Sequence, residues 1–140
     1  MFPVVSPNPA KFIKWFAKDA NECYKGVLVK HNTGADPVAA AHTGATILGV
    51  MLEDQLSANG ECLIASVHGA VLEVDVDPTA TKQTFAVTDL GTEYDIVVVD
   101  DEQFLDPDDT IGGFLTLVGY DNARKVAYVT VLAADCLLPV

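Results

Sequence analysis

The chain is predicted to be all-β, and three observations predict it. From Glu22 onward, short apolar and β-branched runs are divided by clusters of Gly, Asn, Asp, Pro and Thr, the pattern of short strands joined by tight turns. Within the runs the period is two: Leu72, Val74 and Val76 alternate with Glu73, Asp75 and Asp77, as in a sheet with one wet face. Half of the 140 residues are apolar and a fifth are charged. That suits one globular domain whose core needs no disulfide or metal. The expected architecture is a small β-barrel, or a β-tulip or sandwich, of about eight or nine strands. An N-terminal arm over residues 1–21, with a possible short helix, precedes a β-barrel domain over 22–140.

Pro3, Pro7 and Pro9 make the first nine residues an extended arm, because proline cannot donate to a ladder. Over 10–20, Lys11, Lys14 and Lys18 fall at i, i+3 and i+7 beside Phe12, Ile13, Trp15 and Phe16. This spacing predicts a short amphipathic helix, with Asn8 as its cap and Pro9 at its first position. A strand from Lys11 to Ala17 is the competitor, since aromatic residues also suit strands.

Strands are then expected at Tyr24–Lys30, Ala45–Leu52, Glu61–Val67 and Ala70–Val76. Asn59-Gly60 marks a turn before the third of these, because both residues tolerate positive φ. Pro78 ends the fourth. The second half continues with Gln83–Thr88, Tyr94–Val99, Phe114–Gly119 and Lys125–Leu132. Residues Tyr120 to Arg124 form the expected hairpin loop between the last two. Gly112-Gly113 reads as a turn leading into a strand, since no phosphate-binding Lys-Ser/Thr follows.

Charge is divided unevenly. Residues 1–30 hold five lysines and two acids, a net +3, while 31–140 hold three basic and eighteen acidic residues, a net −15. An acidic body argues against nucleic acid and anionic membrane as partners and favours contact with a basic surface. No apolar run is long enough to cross a bilayer, and Met-Phe-Pro-Val-Val does not read as a signal peptide. Cys23, Cys62 and Cys136 are odd in number and widely spaced, which suits reduced thiols and not a zinc site.

No catalytic motif stands out, and neither enzyme activity nor a cofactor is expected. The acids Asp100, Asp101, Glu102, Asp106, Asp108 and Asp109 are the best cation candidate. A calcium loop starting at Asp106 would put Ile111 where glycine is required and Leu117 where glutamate is required. A solvated acidic loop is expected, so no metal site is assigned. Asp75 and Asp77 fall on one strand face, a wet one in the plain reading. His31 and His42 lie among turn residues, His68 precedes Gly69 at a strand junction, and Ser66 two before His68 lacks an activating turn.

The arm carries the binding candidates. Phe2, Phe12, Trp15 and Phe16 interleave with Lys11 and Lys14, beside Pro3. Aromatics bury much area, and lysines snorkel around them. An interface anchor is one reading; closure of one end of the barrel is the other.

The runs Gly26-Val27-Leu28-Val29, Ala39-Ala40-Ala41, Gly44-Ala45-Thr46-Ile47-Leu48-Gly49-Val50 and Gly69-Ala70-Val71-Leu72-Glu73-Val74 resemble the decoration, or cement, proteins of tailed-bacteriophage capsids. Val118 to Asp121 with Lys125 to Val129 is similar to the closing hairpin of phage β-barrel capsid accessory proteins. The resemblance implies a homotrimer on the outer surface of the virion. It would clamp neighbouring copies of the major capsid protein and so stabilise the head, with Phe2, Pro3, Lys11, Phe12, Lys14, Trp15 and Phe16 meeting the shell. The alternative is another virion or host binding module: a head-fibre base, a tail component or a carbohydrate-binding domain.

Overall fold

In this computed structural model the backbone is described over residues 12–16, 24–31, 37–39, 47–54, 61–100 and 102–136, and side chains over 24–30, 47–54, 63–100 and 102–136. The described residues form ten strands in two antiparallel sheets. Sheet 1 contains β1 (Phe12–Phe16), β2 (Leu28–His31), β3 (Pro37–Ala39), β4 (Ile47–Met51) and β5 (Glu61–Ala65), in the order β1-β5-β4-β2-β3. Sheet 2 contains β6 (Leu72–Asp75), β7 (Glu93–Val99), β8 (Glu102–Asp106), β9 (Leu115–Asp121) and β10 (Val126–Val131), in the order β6-β10-β9-β7-β8.

The chain passes from sheet 1 to sheet 2 through a tight turn. Ala70 N–H donates to Val67 carbonyl at 3.0 Å, and Gly69 supplies the positive φ of 76° that such a turn needs. Leu72, Val74 and Val76 then point inward as the alternation requires. The main core joins them to Tyr94, Ile96, Leu105, Phe114, Leu115, Leu117, Val129 and Val131 of sheet 2, and to Leu28, Ile47 and Val50 of sheet 1. One shared core makes the body sandwich-like. A second cluster, Val29, Leu48, Met51 and Ile64, lies within sheet 1. Strand β4 is therefore buried along its whole length.

Sheet 2 curls until its edge strands touch. Val76 bridges to Leu105, and Asp77 N–H donates to Leu105 carbonyl at 3.0 Å. The seam is too short to be a ladder, so the sheet stops short of a closed barrel. Two side-chain amides finish the hydrogen bonding. Gln103, buried on β8, accepts from Leu28 N–H at 2.9 Å and donates to Leu28 carbonyl at 2.9 Å. It serves β2 as a strand would and ties sheet 2 to sheet 1. Asn122 does the same for Phe85, accepting its N–H and donating to its carbonyl, each at 2.9 Å.

Four expectations need correction. The helix over 10–20 is not present at Phe12–Phe16, which is extended and pairs with β5 from Phe12 opposite Ala65 to Phe16 opposite Glu61. Aromatic bulk and a free ladder edge outweigh the lysine spacing there. The strand expected at Gln83–Thr88 is absent; the segment is irregular and ends in a 3₁₀ turn at Val87–Asp89. With Asn122 satisfying Phe85, no strand partner is needed. The acidic stretch is a loop only in part: Glu102–Asp106 is β8, paired with β7, while Asp100, Asp108 and Asp109 lie in the flanking turns. Asp75 is exposed but Asp77 is buried, its carboxylate accepting Thr79 N–H and Thr79 hydroxyl, each at 2.8 Å.

Candidate functional site

Of the arm residues singled out from sequence, Phe2, Pro3 and Lys11 lie outside the described residues. Phe12, Lys14, Trp15 and Phe16 are brought together on β1, an edge strand of sheet 1. Lys14 stands opposite Leu63 and Trp15 opposite Cys62 in the ladder. The side chains of β1 lie outside the described residues.

The clearest built arrangement lies between β6 and β7, where the connecting segment packs on Tyr94 of β7. Lys82 Nζ donates to Asp89 Oδ1 at 2.6 Å and to the Tyr94 hydroxyl at 3.3 Å. It sits 5.4 Å from the Phe85 ring centroid and 5.7 Å from that of Tyr94, within cation–π range. The rings meet edge to face at 5.7 Å. Burial alone would lower the Lys82 pKa, but the bonds to Asp89 and Tyr94 more than offset it and leave it raised. Asp89 is held below the usual carboxylate range, first by the Lys82 hydrogen bond and then by Ala86 N–H. The 3₁₀ turn is thereby pinned from inside, with its outer residues Val87 and Leu90 left to solvent.

An acidic group lies beside it. Asp108 accepts from Thr81 N–H at 2.6 Å and Lys82 N–H at 3.0 Å, and these bonds pull its pKa down. Asp106 moves the other way. Burial raises it most, and the charges of Asp109, Asp108 and Asp77 add to that, although Asp108 N–H donates to its Oδ1. Among the described residues, no three His, Cys, Asp or Glu side chains are placed to hold a metal ion.

The remaining candidates separate. Ser66 is buried and its hydroxyl accepts His68 N–H at 3.4 Å, so both belong to the turn between the sheets. His68 Nδ1 is buried with no hydrogen-bond partner among the described residues. Gly112-Gly113 leads into β9 as expected, Gly112 having φ of 69°. Burial pushes the Cys136 thiol up to about 11, with Asp135 adding to it, which makes it a poor nucleophile. His31 and His42 side chains and the cysteines Cys23 and Cys62 lie outside the described side chains.

Sequence reasoning missed a set of exposed apolar residues. Val87 (74% exposed), Leu90 (43%), Ile111 (84%) and Val118 (47%) come from three segments. Gly91 N–H donates to Leu117 carbonyl at 2.8 Å and Leu117 N–H to Thr92 carbonyl at 2.9 Å, which sets Leu90 beside Val118. Val118 is the extra residue of a bulge, since Leu117 pairs with Val129 and Gly119 with Tyr128. Glu93 pairs with Thr116. Gly113 lies so close that a methyl on it would come within 2.7 Å of the Glu93 carbonyl carbon, which sets the Ile111 turn beside Glu93. A signal existed in Val87 and Leu90, spaced three apart beyond Phe85.

No family model matches the chain and no curated protein matches it.

Proposed function

We propose that this chain is a structural virion protein that binds the outer capsid surface and cements neighbouring major capsid protein subunits, working as a homotrimer. One observation carries the reading. The runs that resemble decoration proteins fall on strands of the two-sheet body: Gly26–Val29 runs into β2, Gly44–Val50 into β4, Gly69–Val74 into β6, and the closing hairpin is β9 and β10. The likeness therefore lies in the elements that build the shared core. Exposed apolar side chains at one end of sheet 2 add a surface suited to adhesion. A clamp needs only binding energy, and many weak contacts repeated over a shell add by avidity.

The test is a titration on to expanded, undecorated phage heads beside a panel of monosaccharides. Saturable binding to heads is expected, with no sugar response. A sugar-specific response without head binding would establish the carbohydrate-binding alternative instead.

A further inference from the structure

We propose that the outer face of sheet 2 at its Glu93 end docks a patch of the shell protein with an apolar centre and a rim of lysine or arginine; this rests on the capsid reading above. Val87 and Leu90 come from the 3₁₀ turn, Val118 from the β9 bulge and Ile111 from the turn before β9. Single exposed apolar residues are ordinary. Here the backbone sets Val87 and Leu90 beside Val118, and Glu93, paired with Thr116 of the same strand, has the Ile111 turn next to it; exposed apolar side chains brought together from separate segments suit an interaction site. The geometry is held from behind. Asp89 locks the turn through Lys82 and Ala86, and Gly91 and Thr92 are hydrogen-bonded to β9. A surface already rigid loses little entropy on docking.

Charge selects the partner. Glu93 is exposed within the patch, and Asp109, whose Oδ1 accepts Ile111 N–H at 2.9 Å, stands at its margin. Neither is paired with a cation among the described residues. Lys82, between β6 and β7, is already taken up by Asp89. The patch is thus an apolar centre with an uncompensated acidic rim, and its complement is apolar with a basic rim. A second copy of this chain fits less well, because two such faces would oppose Glu93 and Asp109 to their own kind.

The test compares wild type with Ile111→Asp, Glu93→Lys and Asp75→Lys in titrations on expanded heads at low and high salt. Ile111 and Glu93 are exposed, so the variants keep the wild-type melting profile, which is checked first. Asp75 is exposed on β6, which pairs with β10 and not with β7 or β9, and Asp75→Lys changes net charge as Glu93→Lys does. Ile111→Asp is expected to weaken binding by at least about tenfold. Glu93→Lys weakens it most at low salt, where charge is least screened, and Asp75→Lys binds as wild type does. If wild type binds and Ile111→Asp binds equally well, this surface is not the contact, while the capsid reading stands. If wild type does not bind heads, the capsid reading fails and this inference with it. A wild-type oligomer that Ile111→Asp dissociates would reassign the face to contact between copies, overturning the proposal.

Discussion

At the scale of single residues, polar side chains at sheet junctions carry much of the specification. Gln103 replaces a strand for Leu28. Gln103→Ala strands two buried backbone groups, each worth roughly 1–3 kcal/mol, so the expected loss is about 2–4 kcal/mol in urea unfolding. A loss below about 0.5 kcal/mol would mean that β2 finds another partner. Asp106 works against the fold at neutral pH. Its folded pKa is raised, first by burial and then by Asp109, Asp108 and Asp77. The folded state therefore holds this proton more tightly than the unfolded chain does, and stability is lost as pH rises through the raised pKa. Asp106→Asn keeps an acceptor for Asp108 N–H and is expected to raise Tm by roughly 1–2 °C at pH 7. The gain should vanish near pH 3, where the aspartic acid is itself neutral; an equal gain at both pH values would show that charge is not the cause.

At the scale of elements, short apolar runs bounded by turn residues were legible as strands. β2, β4, β5, β6, β7, β9 and β10 overlap the expected runs: β6 by its alternation of one wet and one dry face, β4 as a short apolar run buried on both faces. β8 was hidden, since Glu102 and Asp106 frame it with charge and its inward Gln103 is polar. Only the neighbouring Leu28 backbone explains why that amide is buried. Gln83–Thr88 misled in the opposite direction. Phe85 packs inward while Val87 does not, and Asn122 supplies what a ladder would have supplied. β1 was ambiguous between periods of two and of about 3.6, and its pairing with β5 decided it. Deleting residues 1–16 removes that edge strand and leaves the other nine. A folded protein is expected, with Tm lowered by about 5 °C and the far-UV circular dichroism of sheet retained. Loss of a cooperative melt would place β1 inside the cooperative unit. Weaker binding of the truncated chain to heads is expected on the reading that the aromatic and basic arm also meets the shell.

At the scale of the whole molecule, two sheets share one core and present two different surfaces. One includes the edge strand β1, which carries Phe12, Lys14, Trp15 and Phe16 and follows a proline-rich segment in the sequence; the other is the exposed apolar surface with its acidic rim. Residues 1–21 stand out in the sequence because their composition departs from that of the body, and Phe12–Phe16 among them proves to be a strand of sheet 1. The patch was not legible, because Val87, Leu90, Ile111 and Val118 are separated in sequence and are joined only by the β9 bulge and its flanking turns. If the molecule works as a symmetric clamp, its mass in solution should be that of a trimer. Sedimentation checks this, and a persistent monomer both at high concentration and on the shell would count against it. The most direct measurement is the thermal transition of expanded heads, scanned with and without saturating amounts of this protein. A cement raises the temperature at which the shell comes apart, and that rise is the expected result. Heads that carry the protein and yet come apart at the undecorated temperature would contradict the account.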